Sequence, residues 1–242
     1  MSEGGGAGPG GGGEAGDVFA WGEERLRLLP QRAVWLETAR TLLLADLHLG
    51  KAETFQAHGI PLPSDGDAGT LNTLLSLANR WRPALVLVLG DLIHGRLGLT
   101  GELRQKLRAL PELLGAPLRL VGGNHERGSW IEGLPAEPSQ AIGALWLSHE
   151  PEQRPGLLNV CGHRHPVAVV GQGAERLRLP CFAYDEAAQR LWLPAFGELT
   201  GGHPCTEGER LWLVAEGQVL PWRQPARALS PRWRGPAPRR RG

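Results

Sequence analysis

Thr41-Leu42-Leu43-Leu44-Ala45-Asp46-Leu47-His48-Leu49-Gly50-Lys51 is the stretch from which the rest of the chain can be read. The continuous apolar run Leu42–Ala45 suits a strand covered on both faces, and it stops at a carboxylate followed by an imidazole. The arrangement returns twice. Ala84–Leu89 runs into Gly90-Asp91, and Pro117–Val121 runs into Gly122-Gly123-Asn124-His125-Glu126. Between these runs, residues 67–82 place Leu71, Leu74, Leu75, Ala78 and Trp81 at helical spacing, with Ser64 or Asp65 as a cap and Pro83 as the stop. Residues 101–114 form a second helical pattern. Ahead of Thr41, Ala33–Glu37 reads as a strand joined to the next through Thr38-Ala39-Arg40.

The first half is therefore β-α-β-α-β, and the second half changes character. Ala144–Leu147, Leu157–Val160, Val167–Val170, Arg176–Leu179, Arg190–Leu193 and Arg210–Val214 are short strand candidates separated by turns. Arg176–Leu179 and Arg190–Leu193 alternate polar and apolar, as half-exposed strands do. Two mixed sheets packed face to face with helices outside, an α/β sandwich, would bury all these faces. No internal repeat is visible.

In an open α/β sheet, ligand-binding groups gather beyond the carboxyl ends of the strands. Asp46, Asp91 and Asn124 each stand at or just past such an end, so they can meet although far apart in sequence. His149 follows one strand candidate of the second half, and His163 and His165 follow another. Residues two apart on an extended segment face one side, which predicts Asp46/His48 and His163/His165 as paired donors. Two carboxylates, one carboxamide and several imidazoles make a mixed oxygen and nitrogen set, suited to Mn, Fe or Zn rather than Mg or Ca. Charge favours two dications over one. Asp46 and Asp91 cancel half of the four positive charges, and a hydroxide with a phosphodiester brings the site near neutral.

Composition sets the outer limits. With 242 residues, 41% hydrophobic and 21% charged, the chain can bury one full-sized core. No apolar run approaches a membrane span of roughly 20 residues. Three cysteines (Cys161, Cys181, Cys205) without CxxC spacing suit a reducing compartment, and the N-terminus lacks a signal pattern, so a cytoplasmic protein is expected. Residues 1–16 contain nine glycines and read as a disordered leader, residues 17–220 as the folded domain, and residues 221–242 as a disordered basic tail. Net charge is +1, yet residues 223–242 carry seven arginines and no acid. Removing these from 26 Lys/Arg leaves 19 against 25 Asp/Glu, so the body is acidic. Such a tail can meet nucleic acid through phosphate contacts.

Taken in order, Asp46-x-His48, Gly90-Asp91, Gly123-Asn124-His125-Glu126, His149 and Gly162-His163-x-His165 resemble the calcineurin-like metallophosphoesterases over roughly Thr41 to His165. The resemblance implies a four-layer α/β/β/α sandwich. It implies a first metal held by Asp46, His48, Asp91 and His165, and a second held by Asp91, Asn124, His149 and His163. A hydroxide between the metals would be the nucleophile, and His125 would contact the phosphate and protonate the leaving oxygen. Manganese is the metal it favours, with iron or zinc as alternatives. Where protein-phosphatase relatives carry an aspartate supporting that histidine, this chain has His94, as in the nuclease branch. Glu126 stands where many members have Asp.

A narrower likeness extends to about Gly202. Asp46–Lys51, Gly90–His94, Leu179-Pro180-Cys181-Phe182 and Leu193–Gly202 resemble the PdeM group of ligase-associated DNA damage response endonucleases. It implies DNA as substrate, a place in DNA repair, and an ATP-dependent DNA ligase and a helicase as partners. Two enzymatic readings stay open, a DNA endonuclease and a phosphodiesterase or phosphatase of nucleotides or other small phosphoesters. A non-catalytic assembly subunit of the same fold is a third. A zinc knot from Cys161, His163, His165, His203 and Cys205 would compete with the phosphoesterase site for its histidines. Arg164, between two of those histidines, is expected to face away from them.

Overall fold

The computed structural model describes residues 16–62, 66–126, 131–171 and 173–223. The first sheet has seven strands in chain order, β1 (Val18–Trp21), β2 (Glu24–Leu28), β3 (Val34–Leu36), β4 (Thr41–Leu44), β5 (Leu85–Leu89), β6 (Leu118–Val121) and β7 (Ala136–Glu137). Pairing is antiparallel up to β4 and parallel from β4 to β7. Three helices interrupt this half, α1 (Lys51–Ala57), α2 (Gly66–Trp81) and α3 (Gly101–Leu114). The second sheet contains β8 (Gln140–Ile142), β9 (Leu145–Ser148), β10 (Leu158–Cys161), β11 (Pro166–Val170), β12 (Leu177–Asp185), β13 (Arg190–Trp192), β14 (His203–Pro204), β15 (Arg210–Ala215) and β16 (Gln218–Trp222). Its path is β14-β11-β12-β13-β10-β9-β8, with β15 also on β12 and β16 on β15. The strands that lead to the site, β9 and β10, are parallel.

The apolar runs read as doubly covered strands are so because alternate residues enter different cores. Leu42 and Leu44 of β4, with Val86 and Val88 of β5, pack under Leu74, Leu77 and Ala78 of α2 and Leu103, Leu107 and Leu110 of α3. Leu43 and Ala45, with Leu87 and Leu89, face the other way and meet Leu147, Val160, Phe182 and Leu191 of the second sheet. One strand thus binds a helical layer and a sheet, and the two mixed sheets lie face to face as expected. Helix α3 starts where Thr100 Oγ1 accepts from Leu103 N at 3.2 Å and ends at Gly115 with φ 62°.

The fourth, helical layer expected from the family resemblance is not found among the described residues. The outer face of the second sheet is a small cluster of Cys161, Ala168, Cys181, Ala183, Trp192, Leu211 and Leu213. The sequence predicts no α-helix in the second half, and among the described residues none forms there, a 3₁₀ turn at Gly173–Glu175 being the only helical element. Guanidinium groups cover the aromatic surface instead, with Arg164 and Arg190 lying 5.4 and 5.3 Å from the Trp192 ring.

The structure adds elements that periodicity did not show. Helix α1 buries only Ala52, so it carries no apolar stripe. Strands β1, β2, β7, β8, β14 and β16 are edge or ribbon pieces with mixed exposure. The domain end expected at residue 220 falls inside β16, which runs to Trp222 because Leu211 on β15 pairs with it. Ser64 and Asp65, residues 1–15 of the leader and residues 224–242 of the tail lie outside the described residues. No described helix is long and apolar enough to cross a membrane.

Candidate metal centre

Parallel β4, β5 and β6 end at one edge of the first sheet, and parallel β9 and β10 end at the facing edge of the second. The residues just past those five ends meet. Within the first sheet Asp46 N donates to Gly90 O at 3.1 Å and His48 N to Asp91 O at 2.9 Å, and between the sheets His163 N donates to Asp46 Oδ2 at 3.0 Å. Packing leaves no slack. A Cβ at Gly90 would run into the His149 ring, and one at Gly162 would stand 2.6 Å from Asp46 Oδ2.

The paired donors do not sit on extended backbone, as the sequence suggested. Asp46, His48, Asp91, His163 and His165 have φ values of 57°, 49°, 50°, 68° and 50°, all in the left-handed region. Each such residue costs on the order of 1 kcal/mol or more, and these hydrogen bonds, within the first sheet and between the sheets, offset this. Left-handed residues turn the chain sharply, which aims side chains two positions apart into one pocket.

Two overlapping donor groups result. Asp46, His48, Asp91 and His165 offer atoms within 4.8 Å of one another, as do Asp91, His149 and His163. In the first, His165 Nε2 lies 3.2 Å from Asp46 Oδ1 and 3.3 Å from His48 Nε2. In the second, His149 Nε2 lies 3.5 Å from Asp91 Oδ2 and 3.1 Å from His163 Nδ1. Asn124 Oδ1 joins that group at 2.9 Å from His149 Nε2 and 3.1 Å from His163 Nδ1. Asp91 belongs to both.

These separations fit a cation. Two ligands about 2.1 Å from one ion, at right angles, stand about 3 Å apart. Asp46, His48, Asp91 and His149 are each at most 5% exposed, and neither carboxylate has a Lys or Arg partner among the described residues. Two buried carboxylates faced by imidazoles and backbone N–H donors, with no cationic side chain beside them, suit added positive charge. The donor set therefore fits divalent metal.

Ring orientation supports the same reading. His149 Nδ1 lies 3.0 Å from Leu89 O and His165 Nδ1 lies 3.1 Å from Gly201 O, so each ring is placed to donate there and turn Nε2 inward. Burial, then repulsion from His165, His125 and His94, lowers the His48 pKa to about 2. Burial, then His125, lowers that of His94 to about 4. Both are neutral at physiological pH. Burial pulls His165 down, but the hydrogen bond and charge of Asp46 outweigh it, and its pKa is raised above 6.5.

His94 and His125 form a third group with His48. The His125 ring stacks on that of His94 with centroids 5.1 Å apart, its Nδ1 bonds His94 O, and its Nε2 lies 3.8 Å from Asp91 Oδ2. Asp46, His48, Asp91, Asn124, His149, His163 and His165, with His94 and His125 beside them, are thus brought to one place. The zinc knot is not built, because His163 and His165 face the acidic pocket. Cys161 and Cys181 lie in the outer cluster, and Cys205 packs against it with its Sγ 3.5 Å from that of Cys181.

Two supporting contacts were not legible from the sequence. Glu126 accepts backbone hydrogen bonds from Gly123, Asp91 and Ile93, at 2.9, 3.0 and 3.3 Å. Arg164 faces away from its neighbouring histidines, as expected, but it is anchored. It pairs bidentately with Glu209, whose side chain is 6% exposed, with one bond at 3.0 Å. Replacing Glu209 by Gln should loosen the His163–His165 turn and weaken metal binding about 10–100-fold, read as metal retained after dialysis against graded chelator. Retention equal to wild type would mean the pair does not position those histidines.

Facing sheets whose strand ends gather carboxylates, a carboxamide and imidazoles around a buried acidic pocket define a metal-dependent phosphoesterase. Residues 39–194 match the calcineurin-like phosphoesterase family, and the chain belongs to it. Among solved structures, the Pseudomonas putida nuclease MPE is similar at 31% identity and TM-score 0.72, over 86% of this chain and 100% of that one. Yfce, a phosphoesterase from E. coli, is similar at 16% identity and TM-score 0.40, over 74% of this chain and 95% of that one. No curated protein matches.

Proposed function

We propose that this chain is a dinuclear-metal phosphodiesterase acting on DNA, an endonuclease working in DNA repair in the cytoplasm. The observation that carries the dinuclear reading is Asp91, whose carboxylate belongs to two donor groups at once. Asp46, His48 and His165 would complete the first metal site, and Asn124, His149 and His163 the second. Bound divalent cations supply a polarised phosphoryl oxygen and a water acidic enough to attack near neutral pH. The mixed donor set supports manganese, with iron or zinc as alternatives. His125, held by His94 O and half-buried beside Asp91, is placed to contact the phosphate and protonate the leaving oxygen. His94 keeps that ring oriented by stacking. The similarity to the P. putida nuclease supports a nucleic acid substrate. Three free cysteines support a reducing compartment. A ligase and a helicase as partners rest on the PdeM-like phrases alone.

The test is turnover by metal-stripped protein reloaded with Mn²⁺, Fe²⁺ or Zn²⁺. Closed circular single-stranded DNA should be cut internally, together with a chromogenic diester. Hydrolysis of nucleotides or small diesters with the circle left intact would replace the nuclease by the small-substrate reading.

Metal affinity should also fall as pH drops. A cation must displace the proton from His165, whose pKa is raised, so binding weakens as pH falls through that raised pKa and approaches tenfold per pH unit below it. His48 and His94, at about 2 and about 4, do not contribute there. Mn²⁺ titrations between pH 5 and 8 check this; affinity flat across that range would contradict it.

A further inference from the structure

Phe55 has no place in the cores. It sits on α1 and belongs to none of the three apolar clusters that hold the sheets and helices together. Its ring instead lies nearly parallel to that of His94, 22° between planes and 5.8 Å between centroids. His94 is stacked in turn on His125, at 26° and 5.1 Å. Three near-parallel rings therefore lead outward from the metal pocket, with His125 at the inner end and Phe55, partly exposed, at the outer end.

The surroundings of Phe55 are unusual for a protein surface. Of the seven large hydrophobic side chains exposed among the described residues, Ile60, Leu97 and Leu199 are 48%, 59% and 38% exposed, on the segments bordering α1. Ile60 N donates to Phe55 O. The turn bearing Leu97 is held to the start of α1 through Gly98, which packs on Gly50 so closely that neither admits a Cβ. Leu199 O accepts from Lys51 Nζ at 2.8 Å, and the same ammonium lies 5.9 Å from the Phe55 centroid. An aromatic ring and a cation thus stand together two ring-steps from the histidine beside the metal ligands, and the segments bordering them expose Ile60, Leu97 and Leu199.

We infer that Phe55 is a stacking platform for the nucleobase adjoining the scissile phosphate, with Lys51 facing the phosphate of that nucleotide. The inference rests on the phosphodiesterase reading of the adjacent metal site. The chemistry matches on three counts. A base has two flat apolar faces, it is tied to a phosphate that the cation attracts, and its neighbour phosphate lies within reach of the His125 end. Stacking on an aromatic side chain is tolerant of base identity, so this platform positions the strand without reading its sequence.

The experiment uses the full-length, metal-loaded protein and two probes. In steady-state cleavage of single-stranded DNA, Phe55→Ala should raise KM about tenfold with little change in kcat, and Phe55→Trp should restore it. DNA carrying an abasic residue beside the cleavage site should show no such difference between wild type and variant. In the second arm, a dinucleotide containing 2-aminopurine should be quenched by wild type and not by Phe55→Ala, with metal content equal in both. Loss of kcat in Phe55→Ala on intact and abasic DNA alike would mean that Phe55 only supports His94, and overturns the platform. A dinucleotide left unquenched by wild type overturns it too, even where DNA is cut. Quenching without any DNA cleavage would sustain the subsite and remove the nuclease reading.

Discussion

Asp91→Asn should leave a folded protein that no longer hydrolyses phosphodiesters, with kcat/KM reduced about 10³-fold or more. Several kcal/mol of charge stabilisation at the reacting phosphate depend on the metals, and each 1.36 kcal/mol is tenfold in rate. Asp91 is the carboxylate common to both donor groups, so its charge acts on both sites. The fold should survive because the amide keeps an oxygen where Asp91 Oδ1 accepts from His125 N at 3.0 Å. Removing a carboxylate that lies buried near Asp46 and Glu126 also relieves the metal-free protein. The informative readout is thermal unfolding with and without Mn²⁺. Wild type should gain stability with metal by mass action, and the variant should gain far less. Undiminished turnover by Asp91→Asn would end the dinuclear proposal.

The second large effect is on stability. Glu126→Ala should cost about 3 kcal/mol, because it leaves the N–H groups of Gly123, Asp91 and Ile93 without their acceptor in a buried setting. For a domain of this size that lowers Tm by roughly 6–12 °C. Burial raises the Glu126 pKa against the pull of those three donors, so the fold tolerates an unfavourable burial in order to hold the backbone of Asp91. Glu126→Gln retains one carbonyl oxygen and should lose less than Glu126→Ala. Calorimetry of the metal-free proteins separates this from any loss of metal. A Glu126→Ala protein melting within about 2 °C of wild type would show that water replaces the carboxylate at no cost.

The two effects differ in how far they could be read in advance. Asp91 stands after a continuous apolar run, and such runs mark strands buried on both faces whatever the rest of the chain does. The same holds for Asp46, whereas the run before Asn124 is interrupted by Arg119, which stays exposed on β6. Glu126 was visible only as a departure from the commoner Asp, since its partners Asp91 and Ile93 are 35 and 33 positions away. The Arg164–Glu209 pair spans 45 positions and lacks any local pattern. Helix α1 was missed because a helix that buries a single alanine carries no periodic signal. A helical layer was expected over the second sheet because the family resemblance implies it, whereas the local strand pattern there already argued for strands and turns.

What the sequence determined by itself is the inventory: which donors exist, that each follows a strand, and that their mix suits divalent transition ions. Those properties are local, set by side-chain chemistry and by apolar runs a few residues long. Only the tertiary structure decided that the donors share a pocket and how they face it. That outcome comes from parallel pairing within each sheet, from hydrogen bonds between the sheets such as His163 N to Asp46, and from five left-handed residues. A left-handed turn at a non-glycine residue is unfavourable in isolation, and at these five positions long-range contacts hold it.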